Sequence, residues 1–398
     1  MGTPEQELRL HLDTGSSDLW VNSPSSLLCT TAPELCAQSG TYRSNSSSTY
    51  TYLNSDFNIS YVDGSSAAGD YATDTFHMGD VQIKDFQFGI GYSSSSAQGI
   101  LGIGYPANEV QSVRYGKEPY KNLPARMVSD GFVDSNVYSI WLNDIDSSSG
   151  SLLFGGVDRE QYSGDLIKLP IQKGGAIFRQ FFITMTGLGV GGKNLQDDMA
   201  LAVLLDTGSS LTYLPNDLVK SLYTAVNATW SESDDAAFVS CNLANNDTTI
   251  DFSFSEPASI KVDMRELVFN VTTSKGEPIR LPDGNRACLF GISPAGNGAR
   301  VLGDTFLRSA YVVYDMNNNE VAMAQSNFEP KGSDVVEVGS GKDAVPGATA
   351  ASNPVAAKSG LPYIEEEESA AVTPSPSWLL YAVTGIVAVA FSAANGLI

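Results

Sequence analysis

One pentapeptide occurs twice in this chain, as Asp13-Thr14-Gly15-Ser16-Ser17 and as Asp206-Thr207-Gly208-Ser209-Ser210. Each copy follows an apolar run, Leu10-His11-Leu12 and Ala202-Val203-Leu204-Leu205. An apolar run that ends in a carboxylate and a glycine reads as a strand delivering an acid into a turn. Gly15 and Gly208 permit the tight turn and a close backbone approach. Two such turns suggest two related halves that bring Asp13 and Asp206 together. Adjacent carboxylates do not both ionise easily, so the pair would share one proton and activate water.

A second internal echo supports duplication. Gly99-Ile100-Leu101-Gly102 resembles Arg300-Val301-Leu302-Gly303, and each follows its own Asp-Thr-Gly by a similar interval, 102 − 13 = 89 and 303 − 206 = 97. Two paired motifs in the same order point to two homologous lobes. Residues 1 to about 330 read as all-β. Short apolar or alternating runs such as 57–61, 86–90 and 311–314 sit between Gly, Ser, Asn and Asp clusters. A helix is predicted over 216–230, where Leu218, Val219, Leu222 and Val226 fall at helical spacing behind Pro215, and a short one over 124–130.

The chain has 398 residues and a net charge of −22. That charge argues against nucleic acid and anionic membrane surfaces as partners. It suits work at low pH, and it equally suits simple solubility. The four cysteines, Cys29, Cys36, Cys241 and Cys288, have no zinc-site spacing. Two local bridges, Cys29–Cys36 and Cys241–Cys288, would staple one half each, contributing about 2.5 and about 4 kcal/mol in the chain-entropy model. Bridges imply an oxidising compartment. Five sequons agree, at Asn45, Asn58, Asn227, Asn246 and Asn270.

The ends are distinctive. Met1-Gly2-Thr3-Pro4 runs almost at once into the first acidic motif, which suggests that a signal and further leading segment are missing. Residues 331–377 are rich in Ala, Gly, Ser, Pro and Val, include Glu365 to Glu368, and read as a disordered stalk. Residues 378–398 are apolar to the last position with no Lys or Arg after them. This reads as a glycolipid (GPI) anchor signal, with Ser369-Ala370-Ala371 as the candidate site, or as a transmembrane helix.

The stretches 13–21, 61–65, 99–104, 205–210 and 301–304 together resemble pepsin-family aspartic proteases, and among them the fungal yapsin-like, surface-anchored members. The resemblance covers residues 1 to about 328. It implies a bilobal all-β fold with pseudo-twofold lobes, 1–166 and 167–330, around a cleft that holds extended peptide or protein substrates. It implies a monomeric acid endopeptidase without metal or cofactor, made as a zymogen and inhibited by pepstatin. The residues implied are Asp13 and Asp206 as the catalytic pair, with Thr14, Gly15, Ser16, Thr207, Gly208 and Ser209 in support. Ser16 and Ser209 would orient the carboxylates or serve ordinary turn chemistry.

Tyr61 to Ser65, with Asp63 and Gly64 between, would be the tip of a flap over the substrate. Val62 stands where the family usually has glycine, and valine resists positive φ. Asp63 would favour Lys or Arg before the scissile bond, or only shape the turn. Trp20 would hydrogen-bond the flap tyrosine, or be a core aromatic. His11, two residues before Asp13 on the same strand face, would line the pocket or be a satisfied buried histidine; His77 shows no partner. Serine and cysteine hydrolase readings fail, because only two histidines exist and neither cysteine pair looks free. A catalytically silent surface binding protein on the same fold is the alternative.

Overall fold

The computed structural model describes residues 1–362. Three sheets carry the architecture. The first orders its six strands as Leu10–Asp13, Gly99–Gly102, Leu19–Asn22, Val81–Ser94, Ser66–Met78 and Thr51–Ser60. A five-stranded sheet repeats the theme in the second half, as Phe182–Met185, Leu201–Leu205, Val301–Leu302, Thr212–Leu214 and Ile292–Pro294. Between them lies a six-stranded sheet of Ala348–Ala350, Tyr162–Pro170, Glu320–Ser326, Ala310–Asp315, Val137–Trp141 and Ser151–Phe154.

The duplicated motifs explain the repeated sheet pattern. Leu10–Asp13 runs parallel to Gly99–Gly102, with Asp13 opposite Gly102, and Leu19 and Trp20 return antiparallel on Leu101 and Ile100. In the second half Leu204 and Leu205 run parallel to Val301 and Leu302, and Tyr213 returns antiparallel on Val301. The second apolar run, Leu201–Leu205, is fully buried, as a strand flanked on both faces must be, whereas Leu10, His11 and Leu12 are half-buried.

The central sheet joins the halves. An expected lobe boundary at 166/167 falls inside one of its strands, Tyr162–Pro170. Tyr138 and Tyr314 face each other across that sheet, ring centroids 5.0 Å apart. Beneath the first sheet Phe76, Phe86, Phe88 and Ile90 form a separate core.

Both bridges form, one in each half, between Cys29 and Cys36 and between Cys241 and Cys288. The helix predicted over 216–230 ends at Val226, because Asn227 adopts φ +56° and closes the last turn, and Trp230 joins a strand instead. The short helix is Leu123–Ser129.

The stalk expected from residue 331 is corrected as far as residue 362. Val335–Glu337 pairs antiparallel with Gly156–Asp158, and Ala348–Ala350 runs parallel to Leu166–Lys168 as the edge of the central sheet. Val338, Val345 and Ala351 are buried. Composition misled because the strands are only three residues long: Ala348–Ala350 adds to an existing sheet edge, and Val335–Glu337 forms a two-stranded sheet with Gly156–Asp158. The expected anchor site, the Glu365–Glu368 run and residues 378–398 lie outside the described residues. Among the described residues no helix is long and apolar enough to cross a membrane.

Candidate active site

Asp13 and Asp206 end equivalent strands, and the two loops that follow meet face to face. Thr14 and Thr207 lock them together. The Thr14 amide donates to Thr207 Oγ1 (3.1 Å), and the Thr207 amide donates to Thr14 Oγ1 (3.0 Å). Each hydroxyl then donates across to the other strand, Thr14 Oγ1 to the Leu205 carbonyl (2.9 Å) and Thr207 Oγ1 to the Leu12 carbonyl (2.8 Å). Four hydrogen bonds, three of them fully buried, contribute on the order of 1 kcal/mol each. Their larger effect is to fix the register of the halves.

The two carboxyls are held unequally. Asp13 accepts from the amides of Gly15 (2.8 Å) and Ser16 (3.2 Å) and from Ser16 Oγ. Asp206 accepts from the Gly208 amide (2.8 Å) and Ser209 Oγ (2.9 Å). Its pKa is pushed up to about 7, first by burial and then by the facing charge of Asp13, which its carboxyl also meets by a hydrogen bond. Donors stabilise the ionised form. Asp13, which has three donors against two, therefore suits the anion, and Asp206 the protonated partner. Such a pair can accept a proton from one bound water while donating one to a carbonyl oxygen.

The hairpin of Thr51–Ser60 and Ser66–Met78 arches toward this pair. Its tip closes with the Tyr61 amide on the Ser65 carbonyl (2.8 Å) and the Gly64 amide on the Tyr61 carbonyl (3.1 Å). The positive φ falls at Gly64 (+83°), so Val62 escapes it and stands 90% exposed at the tip. A three-residue loop with a left-handed glycine last is a common hairpin solution. Asp63 Oδ1 accepts from the amide and hydroxyl of Ser65. Trp20 Nε1 donates to the Tyr61 hydroxyl at 2.8 Å. The pKa of Tyr61 is raised by burial and then by Asp13, so its ring borders the dyad. In the second half the pKa of Tyr213 is raised by burial and then by the charge of Asp63, so the flap tip lies within electrostatic reach of the strand Thr212–Leu214.

His11 pairs with Ile100 along the strand and its charge bears on Asp304. His77 has partners after all: Nδ1 lies 3.1 Å from Glu5 Oε1, and Nε2 lies 3.2 Å from the Gly2 carbonyl. The asparagines of all five sequons are exposed.

Three acids near the site were not singled out from the sequence. Asp304, which stands where the first lobe has Ile103, is pushed up to about 6 by burial, an effect opposed by Arg308 and His11 and reinforced by Asp206. Misalignment of the two Leu-Gly echoes at that one position was the available signal. Asp18 is buried and accepts from Tyr71 Oη (2.5 Å), Tyr120 Oη (2.9 Å) and the Val110 amide (2.9 Å). Glu109, also buried, takes the Tyr120 amide on Oε2, and among the described residues its Oε1 has no partner.

The profile of the family described as Eukaryotic aspartyl protease matches residues 1–326. A probable aspartic-type endopeptidase opsB of Aspergillus oryzae is 51% identical over 361 residues, covering 89% of this chain and 73% of the relative. A probable aspartic-type endopeptidase OPSB of Arthroderma benhamiae is 45% identical over 377 residues, 92% of this chain and 76% of the relative. Secreted aspartic protease 8 of Candida albicans is 35% identical over 332 residues, 82% and 75%.

Proposed function

The chain belongs to the eukaryotic aspartyl protease family and is a peptidase, and on that premise we propose that Asp13 and Asp206 hydrolyse peptide bonds in extended polypeptides by direct attack of water. The observation that carries this reading is the crossed, unequal support of the two carboxyls. In the reaction Asp13 takes a proton from the water as its oxygen attacks the scissile carbonyl, and Asp206 donates its proton to the carbonyl oxygen. The tetrahedral diol then collapses as Asp13 passes its proton to the amide nitrogen, which leaves as the amine, while a diol hydroxyl returns a proton to Asp206 and restores the starting pair. No covalent enzyme intermediate forms. Tyr61 and Trp20 hold the flap over the substrate, and main-chain pairing to flap and cleft supplies affinity.

Asp13→Asn and Asp206→Asn each remove an essential partner. Each should abolish hydrolysis, and the losses should not add in the double variant. Pepstatin, whose statine hydroxyl stands in for the attacking water, should inhibit the wild type. Near-normal activity in either single variant would refute the reading.

The finer assignment is a yapsin-like enzyme of the secretory pathway that is held at the cell surface. Support comes from the two disulfides, the exposed sequons and the apolar 378–398 segment. Mass spectrometry of the mature protein tests it. Peptides from 379–398 recovered from that protein would rule out a cleaved anchor signal.

A further inference from the structure

The segment 331–362 crosses from one half of the molecule to the other. At its start Ser333 Oγ and the Asp334 amide bind the Asp158 carboxylate (2.7 and 2.8 Å). Midway Asp343 meets Lys168 Nζ (2.7 Å), and Ala348–Ala350 takes the edge of the central sheet. Beyond it the Ser352 amide reaches the Glu256 carbonyl (2.9 Å), the Val355 amide reaches Ser255 Oγ (2.9 Å), and the Ala357 amide reaches Gln172 Oε1 (3.0 Å).

Its last contacts fall on the strand that carries Asp206. The Lys358 amide donates to the Ala200 carbonyl, and the Ala202 amide donates to the Ser359 carbonyl, both at 2.8 Å. Ser359 thus forms a parallel bridge with Leu201. Val301–Leu302 pairs with the same strand only at Leu204 and Leu205. The strap therefore satisfies the stretch that Val301–Leu302 leaves open. Gly360 makes the fit possible: its φ is +87°, and a β-carbon there would stand 2.5 Å from the Ala202 carbonyl oxygen.

We propose that residues 358–360 are a positioning element for Asp206, pinning the near end of the Leu201–Leu205 strand so that the acid at its far end keeps its place in the dyad. The strand is short and fully buried, so a shift at Leu201 is transmitted along it as a rigid unit. The family profile stops at residue 326, so the strap lies outside the family's shared domain. The Aspergillus oryzae relative aligns over 89% of the chain, and that alignment must run past residue 326. The proposal rests on the reading of Asp206 as half of the dyad.

Three forms test it: Gly360→Val, a chain ending at Ala357, and Asp343→Ala, which breaks only the ion pair with the exposed Asp343. Activity, pepstatin affinity and the pH profile are measured well below the unfolding temperature, with hydrogen exchange of the Ala202 amide. The first two forms should exchange Ala202 faster, lose about 10- to 100-fold in kcat as expected for a misplaced catalytic group, bind pepstatin more weakly and shift the pH profile. Asp343→Ala should match the wild type, as should a chain ending at Pro362. A lowered unfolding temperature with unchanged kcat, pepstatin affinity and pH profile would reduce the strap to a structural staple and overturn the proposal. Unaltered Ala202 exchange would overturn it as well. A wild type inactive on every peptide would sink the dyad reading instead, and the exchange measurement would still decide whether the strap holds the strand.

Discussion

Gly208 lies against Asp13 so closely that a β-carbon on it would stand 2.5 Å from Asp13 Oδ1, and Gly15 bears the same relation to Asp206 Oδ1. Each acid packs on the glycine of the other's loop. The dyad is therefore not two independent side chains but a crossed joint, in which the backbone of one half shapes the carboxylate position of the other. The threonine exchange beneath it serves the same end from the strand side.

Gly208→Ala should consequently disable the enzyme. At 2.5 Å the added methyl and the Asp13 carboxylate exclude each other, and a displacement near 1 Å costs roughly 100-fold in rate. Peptide hydrolysis by the folded variant gives kcat directly. A folded Gly208→Ala protein with normal kcat would show that the close approach has no catalytic consequence.

The dyad's protonation predicts the alkaline side of the pH profile. Asp206 is raised to about 7 by burial and by Asp13, so the pair retains its shared proton throughout the acidic range. Loss of that proton leaves two anions and no donor for the carbonyl oxygen. The value belongs to the pair. Hydrolysis rates should therefore fall as pH rises through about 7. A rate at pH 9 equal to that at pH 5 would contradict the mechanism.

Glu109 makes a separate prediction about stability. Burial first, and then the neighbouring Asp18, raise it to about 10 against an ordinary 4.5, with only the Tyr120 amide opposing. For a carboxyl whose folded value is raised, the native state holds a proton that the unfolded state has released between those two values. Its stabilising contribution is present in full below about 4.5. It declines as pH rises toward 10, by about 1.4 kcal/mol per pH unit for one proton. Asp18 is raised too, mainly by burial, and adds to the slope. Glu109→Gln should flatten the fall of the unfolding temperature between pH 5 and 8 by about one proton's worth. Superimposable stability curves for wild type and variant would mean that Glu109 does not carry this dependence.

The strands and the meeting of Asp13 with Asp206 were legible because both rest on local pattern: apolar runs before Asp-Thr-Gly, and the same order of motifs twice. The flap turn was legible in outline, with Gly64 rather than position 62 carrying the positive φ. Asp18 and Glu109 were not. Their burial depends on Tyr71 and Tyr120, which are brought beside them by sheet pairing rather than by sequence proximity. The strap was missed for a related reason. Its short strands have no hydrophobic face of their own, and residues 348–350 become a strand only because Leu166–Lys168 offers an edge. His77 looked unpartnered because Glu5 and Gly2 reach it from a distant segment.

The last prediction concerns the residue accepted before the scissile bond. Asp63 stands at the exposed flap tip, and its Oδ1 is committed to Ser65. Its negative charge is felt by Tyr213 in the second half, so a cationic substrate side chain lying between them would meet an attractive field. A partly exposed pair of this kind contributes up to about 1 kcal/mol, which is roughly a fivefold preference. Asp63→Asn separates that role from the turn, because an asparagine oxygen can still accept from Ser65 while the charge is gone. Matched peptides with Lys, Arg, Leu or Phe before the cleaved bond should be compared by kcat/KM, since discrimination is a ratio of those values. The variant should lose about fivefold on the basic peptides and little on the apolar ones. Equal losses on both would leave Asp63 as a turn residue alone, and the preference for basic side chains would have to be sought elsewhere in the cleft.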